Sequence, residues 1–507
     1  MSLKSNIVAG YASQLYTALI GIVMLPLYLK YMGLEAYGLV GFFVVLQAFF
    51  NVLDLGLTPT IARESARYFG GALNALAFCQ LFRSLSVFFV GVAVVGGGAL
   101  LVLAPYISEH WLKVRELRVA EVLRAIQIMA FGVALRWVGG LFRGVVSGSE
   151  RLVWLSGFNA AISTLRFAGV FVSMWLWGYA PHVFFLHQLV VAALELGWLL
   201  VACKALIPSQ ASIGEPIGWS FEPIRPLLRF SLTIAFTSSV WVLVTQSDKL
   251  ILSGILPLSD YGYFTLAVLV AGGITVATGP VSTALLPRLA RLQAEGNYSE
   301  ILRLYNQSAQ LVSVIGWSMM VTLVGCTKPL LYAWTGSLNI TEAAAPILRL
   351  YAIGNGLLTI SAFPFYLQYA RGNLRYHLLG NIFMVLVLVP TIIMAAERGG
   401  GIGAGWVWVI MNMLYLFVWV AYVHFKLEPG LHLTWMARNV LIILAPTLVV
   451  GLALSMYHSA LQSRLVELLH TGLFAFLCMA TATFASPFLR GTLLQVRYLK
   501  RFRFGKL

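Results

Sequence analysis

Residues 75–103 read ALAFCQLFRSLSVFFVGVAVVGGGALLVL, and Arg83 is the single charge among these 29 residues. About 20 mainly apolar residues suffice for a helix to cross the hydrocarbon layer of a bilayer. The stretch exceeds that length, and it is one of many. Working outward from it, the chain divides into fourteen apolar stretches, at 7–29, 38–60, 75–103, 121–142, 152–176, 182–203, 230–256, 262–286, 304–327, 346–369, 376–396, 402–425, 439–457 and 466–487. Over all 507 residues 60% are hydrophobic and 10% are charged, where a soluble domain carries about 25% charged residues. So much apolar surface cannot hide in one water-soluble core. The chain reads as an all-α integral membrane protein.

Charge placement tests the count. With the N-terminus on the cytoplasmic side, 21 of the 34 Lys and Arg residues fall in cytoplasmic connections, 8 fall outside, with Arg349 at the outer end of its stretch counted among them, and 5 lie deeper within spans. This is the asymmetry that the positive-inside rule demands, and it puts both termini in the cytoplasm. Twelve spans satisfy the same alternation. The net charge of +16 therefore reads as a topology signal and an affinity for anionic headgroups, and no nucleic-acid partner is implied. The terminal LRGTLLQVRYLKRFRFGKL, with six basic residues and no acids, is expected to lie on the cytoplasmic leaflet. The opening MSLKSNIVAGYASQ lacks the pattern of a removable signal peptide, so the first span is expected to act as its own insertion signal. Cys79, Cys203, Cys326 and Cys478 form no CxxC pair. They read as packing residues, without a metal or redox role.

The longest connection, 205–229, carries Pro208, Pro216, Pro223 and Pro226 and favours extended backbone. It divides the chain into a bundle at 1–204, the linker 205–229, a second bundle at 230–426, and two further helices with the basic tail at 427–507. An internal repeat supports the division. Residues 33–67, GLEAYGLVGFFVVLQAFFNVLDLGLTPTIARESAR, align without gaps on 257–291, PLSDYGYFTLAVLVAGGITVATGPVSTALLPRLAR. Leu34 meets Leu258, Tyr37-Gly38 meets Tyr261-Gly262, and Ala66-Arg67 meets Ala290-Arg291. Both blocks begin after the first helix of a half, so the repeat is parallel in topology.

These residues carry a resemblance. YLKYMGLEAYGLVGFF at 28–43, NVLDLGLTPTIARESAR at 51–67 and SDKLILSGILPLSDYGYFTLA at 247–267 resemble the polysaccharide biosynthesis flippases of the Wzx type, in the multidrug/oligosaccharidyl-lipid/polysaccharide exporter (MOP) superfamily. The resemblance implies two six-helix bundles in a MATE-like V, here followed by two C-terminal helices. It implies transport of an undecaprenyl-diphosphate-linked oligosaccharide, such as an O-antigen, capsule or exopolysaccharide repeat unit, across the bacterial inner membrane by alternating access. It also implies company from the polymerase and glycosyltransferases of the same pathway.

The charges within spans are the candidate site residues, because a charge at mid-bilayer costs about 2.5–3.5 kcal/mol on insertion scales and tends to face the bundle interior. Arg83, Arg124, Arg136, Arg166 and Lys249 are the cations, and Asp54, Glu195 and Asp248 the acids. The excess of two positive charges suits a diphosphate, since a guanidinium can bind two phosphate oxygens at once. Arg136 and Arg166 are placed nearest mid-span. The bland alternative is that the arginines pair with Glu195 and Asp54. Asp248, Asp54 or Glu195 could carry a coupling proton or sodium ion. Glu195 and His187, eight residues apart on one helix face, suggest either a proton relay or a packing pair. Asp248 and Lys249, adjacent and about 100° apart on a helix, are not expected to neutralise each other. Gly140, Gly144 and Gly148 form a stripe permitting close helix contact, and Pro26 and Gly279-Pro280 are candidate hinges.

No GxxxxGK[ST], HExxH or GxSxG motif occurs, and no organic cofactor or metal is implied. A membrane glycosyltransferase or polymerase would need acids on a substantial outer loop. Here the outer stretch 104–120 is short, and Glu109 and Glu116 alternate with bases. An ion-coupled multidrug exporter would need buried acids in excess. A lipid II flippase shares the span count and the cationic cavity, and remains the nearer alternative.

Overall fold

The computed structural model describes residues 3–54, 56–218, 225–457 and 461–492. Most of the basic C-terminal tail, at 493–507, lies outside the described residues, as does part of the linker, 219–224. The helices are α1 (Leu3–Met32), α2 (Leu34–Val52), α3 (Leu57–Phe69), α4 (Ala75–Tyr106), α5 (Val119–Gly148), α6 (Leu152–Thr164), α7 (Val170–Trp177), α8 (Pro181–Lys204), α9 (Gln210–Ile213), α10 (Arg225–Ile255) and α11 (Leu258–Ala294). They continue as α12 (Tyr298–Gly325), α13 (Thr327–Thr335), α14 (Leu338–Ser361), α15 (Phe363–Ala370), α16 (Arg375–Leu414), α17 (Val420–Leu427), α18 (Leu431–Trp435), α19 (Ile442–Ser455) and α20 (Arg464–Ala485). Short π-turns join α6 to α7 at Leu165–Gly169, α16 to α17 at Tyr415–Trp419 and α18 to α19 at Met436–Leu441.

Among the described residues twelve helical stretches are long and apolar enough to cross a membrane. The stretch Arg375–Leu427 is 53 residues long, far more than one crossing needs, and it is broken at Gly400, whose φ of 56° and ψ of −140° suit glycine alone. Each side of that break is long enough to span. The 31-residue α10 covers the seventh stretch read from the sequence. The stretch expected at 38–60 is not one helix. It ends as α2 at Val52 and restarts as α3 at Leu57 after Gly56 in the left-handed conformation.

The chain divides into two compact units at Gly262/Tyr263, and the proline-bearing linker at 205–229 falls within the range of the first. In the first unit α10 packs on α2, so the helix after the linker stays with the helices before it. The steric reason lies in the repeat. A β-carbon on Gly262 would stand 2.6 Å from the carbonyl oxygen of Leu34, and one on Gly38 would stand still closer to that of Leu258. The two turns thus cross with reciprocal contacts, each glycine taking the other copy's leucine. The outer stretch is fastened to the same place. Buried Glu35 accepts hydrogen bonds from the backbone N–H groups of Arg115, Glu116 and Leu117 at 2.6–2.7 Å. Trp111 Nε1 donates to Ser253 Oγ at 2.9 Å, Lys113 Nζ to the Ile255 carbonyl at 2.8 Å, and Leu258 N–H to the Lys113 carbonyl at 2.9 Å.

Behind this end, α3, α4, α5 and α8 close a core around Ile61, Phe78, Phe89, Leu141, Val145 and Leu199. Gly140, Gly144 and Gly148 face α3. A β-carbon on Gly148 would enter the Ala62 backbone and one on Gly144 the Ile61 side chain, so the stripe does bring two helices close. All four cysteines are buried and unbridged.

In the second unit α12 is the central helix, with Tyr305, Trp317 and Val321 buried against α14, α19 and α20. The trailing helices are thus packed into this unit. Gln310 receives the Ser486 hydroxyl at 2.8 Å and donates to Asn439 at 3.0 Å. Pro26 and Gly279-Pro280, the expected hinges, lie inside helices that run on through them, α1 and α11.

Replacing Gly38 or Gly262 with Ala is expected to destabilise the detergent-solubilised protein by about 1–3 kcal/mol, the usual cost of overpacking. Gly272→Ala, with nothing within 4 Å of its position, is expected to leave the melting temperature unchanged in the same thermal-shift measurement.

Candidate functional site

The site of the first unit is built on the π-turn at Leu165–Gly169. A π-turn displaces carbonyls from the regular i→i−4 ladder, and in hydrocarbon each freed carbonyl needs a new donor. Three side chains provide them. His187 Nε2 meets the Leu165 carbonyl at 2.9 Å, Gln188 Nε2 donates to the Arg166 carbonyl at 2.9 Å, and the Tyr28 hydroxyl donates to the Phe167 carbonyl at 2.7 Å. The His187 partners assign its proton to Nε2, leaving Nδ1 to accept from Ser173 at 2.8 Å.

Gln188 also gathers the arginines. Its Oε1 accepts from Arg136 Nη2 at 3.1 Å while its amide holds the backbone of Arg166. The Arg136 guanidinium lies 5.5 Å from the Phe43 ring centre, and that of Arg166 lies 5.5 Å from the Phe167 ring centre. Aromatic faces attract such cations but leave N–H groups unused. Among the described residues, Arg136 Nε and Nη1 and Arg166 Nε are buried without a hydrogen-bond partner, although both side chains remain partly accessible. Unsatisfied buried donors are costly and are what a bound anion would satisfy.

The third cation, Arg143, was expected in a cytoplasmic connection because the fourth span was ended at 142. Helix α5 runs six residues further, to Gly148, and Arg143 lies inside it, pairing with Glu195 and donating to Asn159 Oδ1. The glycine stripe through 144 and 148 was the signal that the helix continues. Glu195 is therefore held by Arg143, and no ion pair joins it to Arg136 or Arg166. Among the described residues no hydrogen bond joins it to His187, whose ring serves the π-turn and Ser173. Around Glu195, three guanidiniums stand against one carboxylate, so this cluster carries an excess of two positive charges.

The remaining candidates stand apart. Arg124 is exposed near the start of α5, and Arg83, exposed near the start of α4, donates to the Gly218 carbonyl at 3.4 Å. Asp54 accepts from the Thr58 backbone at 3.2 Å and from its hydroxyl at 2.7 Å, capping the restart at α3. Lys249 pairs with its neighbour Asp248 at 3.2 Å, against the expectation from helical geometry. The flexible lysine stem curls back, and its Nζ also donates to the Thr245 carbonyl one turn earlier.

A family model described as "Polysaccharide biosynthesis protein" matches residues 3–293. A Shigella flexneri protein named "Putative O-antigen transporter" is 20% identical over 419 residues, covering 82% of this chain and 96% of that protein. Among solved structures, the lipid II flippase MurJ in an inward closed conformation superposes with a TM-score of 0.69 at 14% identity, over 97% of this chain and 100% of that one. An inward-facing multidrug resistance MATE family transporter of the MOP superfamily gives a TM-score of 0.63 at 14% identity, over 84% and 95%. The helical fold is thus the one shared by MurJ and the MATE transporters. The family model spans more than half of the chain and takes in both copies of the repeat, and this protein is a member of the polysaccharide biosynthesis protein family.

Proposed function

We propose that this multi-pass membrane protein is a flippase that carries an undecaprenyl-diphosphate-linked oligosaccharide across the bacterial inner membrane by alternating access, and that it is not an enzyme. The observation that carries the reading is the Arg136–Arg166 pair, with buried N–H groups that no described side chain satisfies. A diphosphate supplies acceptor oxygens in the fork geometry a guanidinium prefers. Moving that headgroup through a low-dielectric region is the main electrostatic barrier to transport, and fixed cations lower it. Gln188 holds the Arg136 guanidinium and the Arg166 backbone carbonyl, so both residues are positioned before the cargo arrives. A multidrug exporter handling cations would be repelled by the same excess charge.

The cytoplasmic excess of Lys and Arg supports both termini facing the cytoplasm. The family supports work beside the polymerase and glycosyltransferases that consume and make the cargo. For the energy source we assign Asp248, buried and paired with Lys249, as the carboxylate through which a proton or sodium gradient drives the cycle, since intramembrane carboxylates act as relays.

Arg136→Ala combined with Arg166→Ala is expected to abolish lipid-linked sugar export at unchanged protein abundance. Arg136→Lys with Arg166→Lys is expected to retain a minor fraction, because it keeps charge and loses the fork. Complementation of surface polysaccharide, read alongside immunoblots, checks both, and wild-type export by the double alanine variant would sink the proposal. In proteoliposomes, Asp248→Asn is expected to transport at a rate independent of the imposed gradient. A gradient response equal to wild type would remove Asp248 from the coupling step.

A further inference from the structure

The second unit contains an open cavity of about 450 Å³, within the range of roughly 300–1,000 Å³ typical of ligand sites. Val321 and Val324 of α12 and Leu448 and Leu452 of α19 form its apolar wall, and Lys328 of α13 and Arg349 of α14 supply cations. It lies where α12 ends and α13 begins, at the end of the unit that the charge pattern assigns to the outer face.

Arg349 is the unexpected member. The sequence places it near the start of a span, in the outer group of basic residues. In the structure α14 begins at Leu338, so Arg349 stands eleven residues along it, about 16 Å at the rise of an α-helix. Its Nε donates to Thr327 Oγ1 at 3.3 Å, which fixes it at the level of the α12–α13 joint. The side chain is exposed, and among the described residues no carboxylate pairs with it. Lys328 is different, because its Nζ pairs with Glu342 at 2.7 Å. One cation is therefore neutralised and the other is not, and the polar rim of the cavity carries a net charge of +1.

The apolar wall does not stop at the cavity. Leu448, Val449 and Leu452 of α19, and Met456 just past its end, are exposed, Val449 at 66% and Met456 at 83%, and they offer an apolar surface beside the cations. A single positive charge at a headgroup level with an apolar track beside it is complementary to an amphiphile with one negative charge and a hydrocarbon chain. A diphosphate carries more negative charge than this rim can match. That charge is instead matched by Arg136, Arg143 and Arg166 around Glu195, a cluster with an excess of two.

We propose that this cavity binds the phosphate of a monoanionic glycerophospholipid, with Arg349 as its principal partner, Lys328 as a second donor and an acyl chain along α19. The site is separate from the transport site and does not depend on the cargo assigned above. Native mass spectrometry of the full chain, titrated with phosphatidylglycerol, phosphatidylethanolamine and undecaprenyl diphosphate, tests it. Wild type is expected to retain one phosphatidylglycerol in preference to phosphatidylethanolamine. Arg349→Gln, alone or with Lys328→Gln, is expected to weaken that retention by roughly tenfold or more, and Glu342→Gln, which frees Lys328, to strengthen it. Unchanged phosphatidylglycerol retention in Arg349→Gln overturns the proposal. So does displacement of phosphatidylglycerol by undecaprenyl diphosphate in a manner that depends on Arg349, which would assign the cavity to the cargo. Retention of phosphatidylglycerol by Arg136→Ala/Arg166→Ala at the wild-type level is expected if the two sites are independent.

Discussion

In hydrocarbon a backbone N–H or C=O finds no water, so every departure from the helical ladder must be answered by another part of the protein. This constraint organises the chain. Where α2 stops short of α3, the Asp54 carboxylate takes the free N–H of Thr58. Where α6 becomes α7 through a π-turn, His187, Gln188 and Tyr28 take up the displaced carbonyls. These polar side chains look extravagant in an apolar sequence until the break they serve is located. The π-turn then sets the position of Arg166, and Gln188 ties it to Arg136. Repair of the backbone and assembly of the cationic pair are accordingly one arrangement.

A second constraint is the cost of charge where the dielectric is low. The protein meets it in three ways. Arg143 is neutralised by Glu195, and Lys249 by Asp248. Arg136 and Arg166 are partly compensated by aromatic faces. Arg349 is left open at a cavity rim, where α12 and α19 end. The degree of compensation separates structural cations from those free to act on a ligand. Position along a span alone does not, as exposed Arg83 and Arg124 illustrate.

Much of this was legible in the sequence. The apolar stretches and the charge asymmetry located the spans, and mid-span position put Arg136 and Arg166 first among the cations. Hydropathy sums over a window and is blind to a break inside it, so neither the end of α2 at Val52 with the restart of α3 at Leu57 nor the π-turn at 165–169 shows in the apolar count. The same averaging ended α5 six residues early and put Arg143 in a loop. Arg349 counts with the outer group because it stands three residues into the stretch 346–369, whereas α14 begins earlier, in the polar sequence LNITEAAA, which no apolar count includes. The Asp248–Lys249 pair was misjudged because backbone angles say where a Cβ points and not how far a lysine stem can curl. Helix boundaries and side-chain reach are tertiary properties, and these residues show where that matters.

The crossing of the two turns at Gly38 and Gly262 bears on how such a chain can change over generations. Each glycine accommodates the leucine of the other repeat copy, Leu258 for Gly38 and Leu34 for Gly262. After a duplication, two copies of a segment are ordinarily free to diverge. Here four positions share one steric condition across 224 residues of chain, and a larger residue in either copy must be answered in the other. The weak identity between the repeats is therefore not uniform decay. At Tyr-Gly and the leucine before it, the two copies remain alike because they touch.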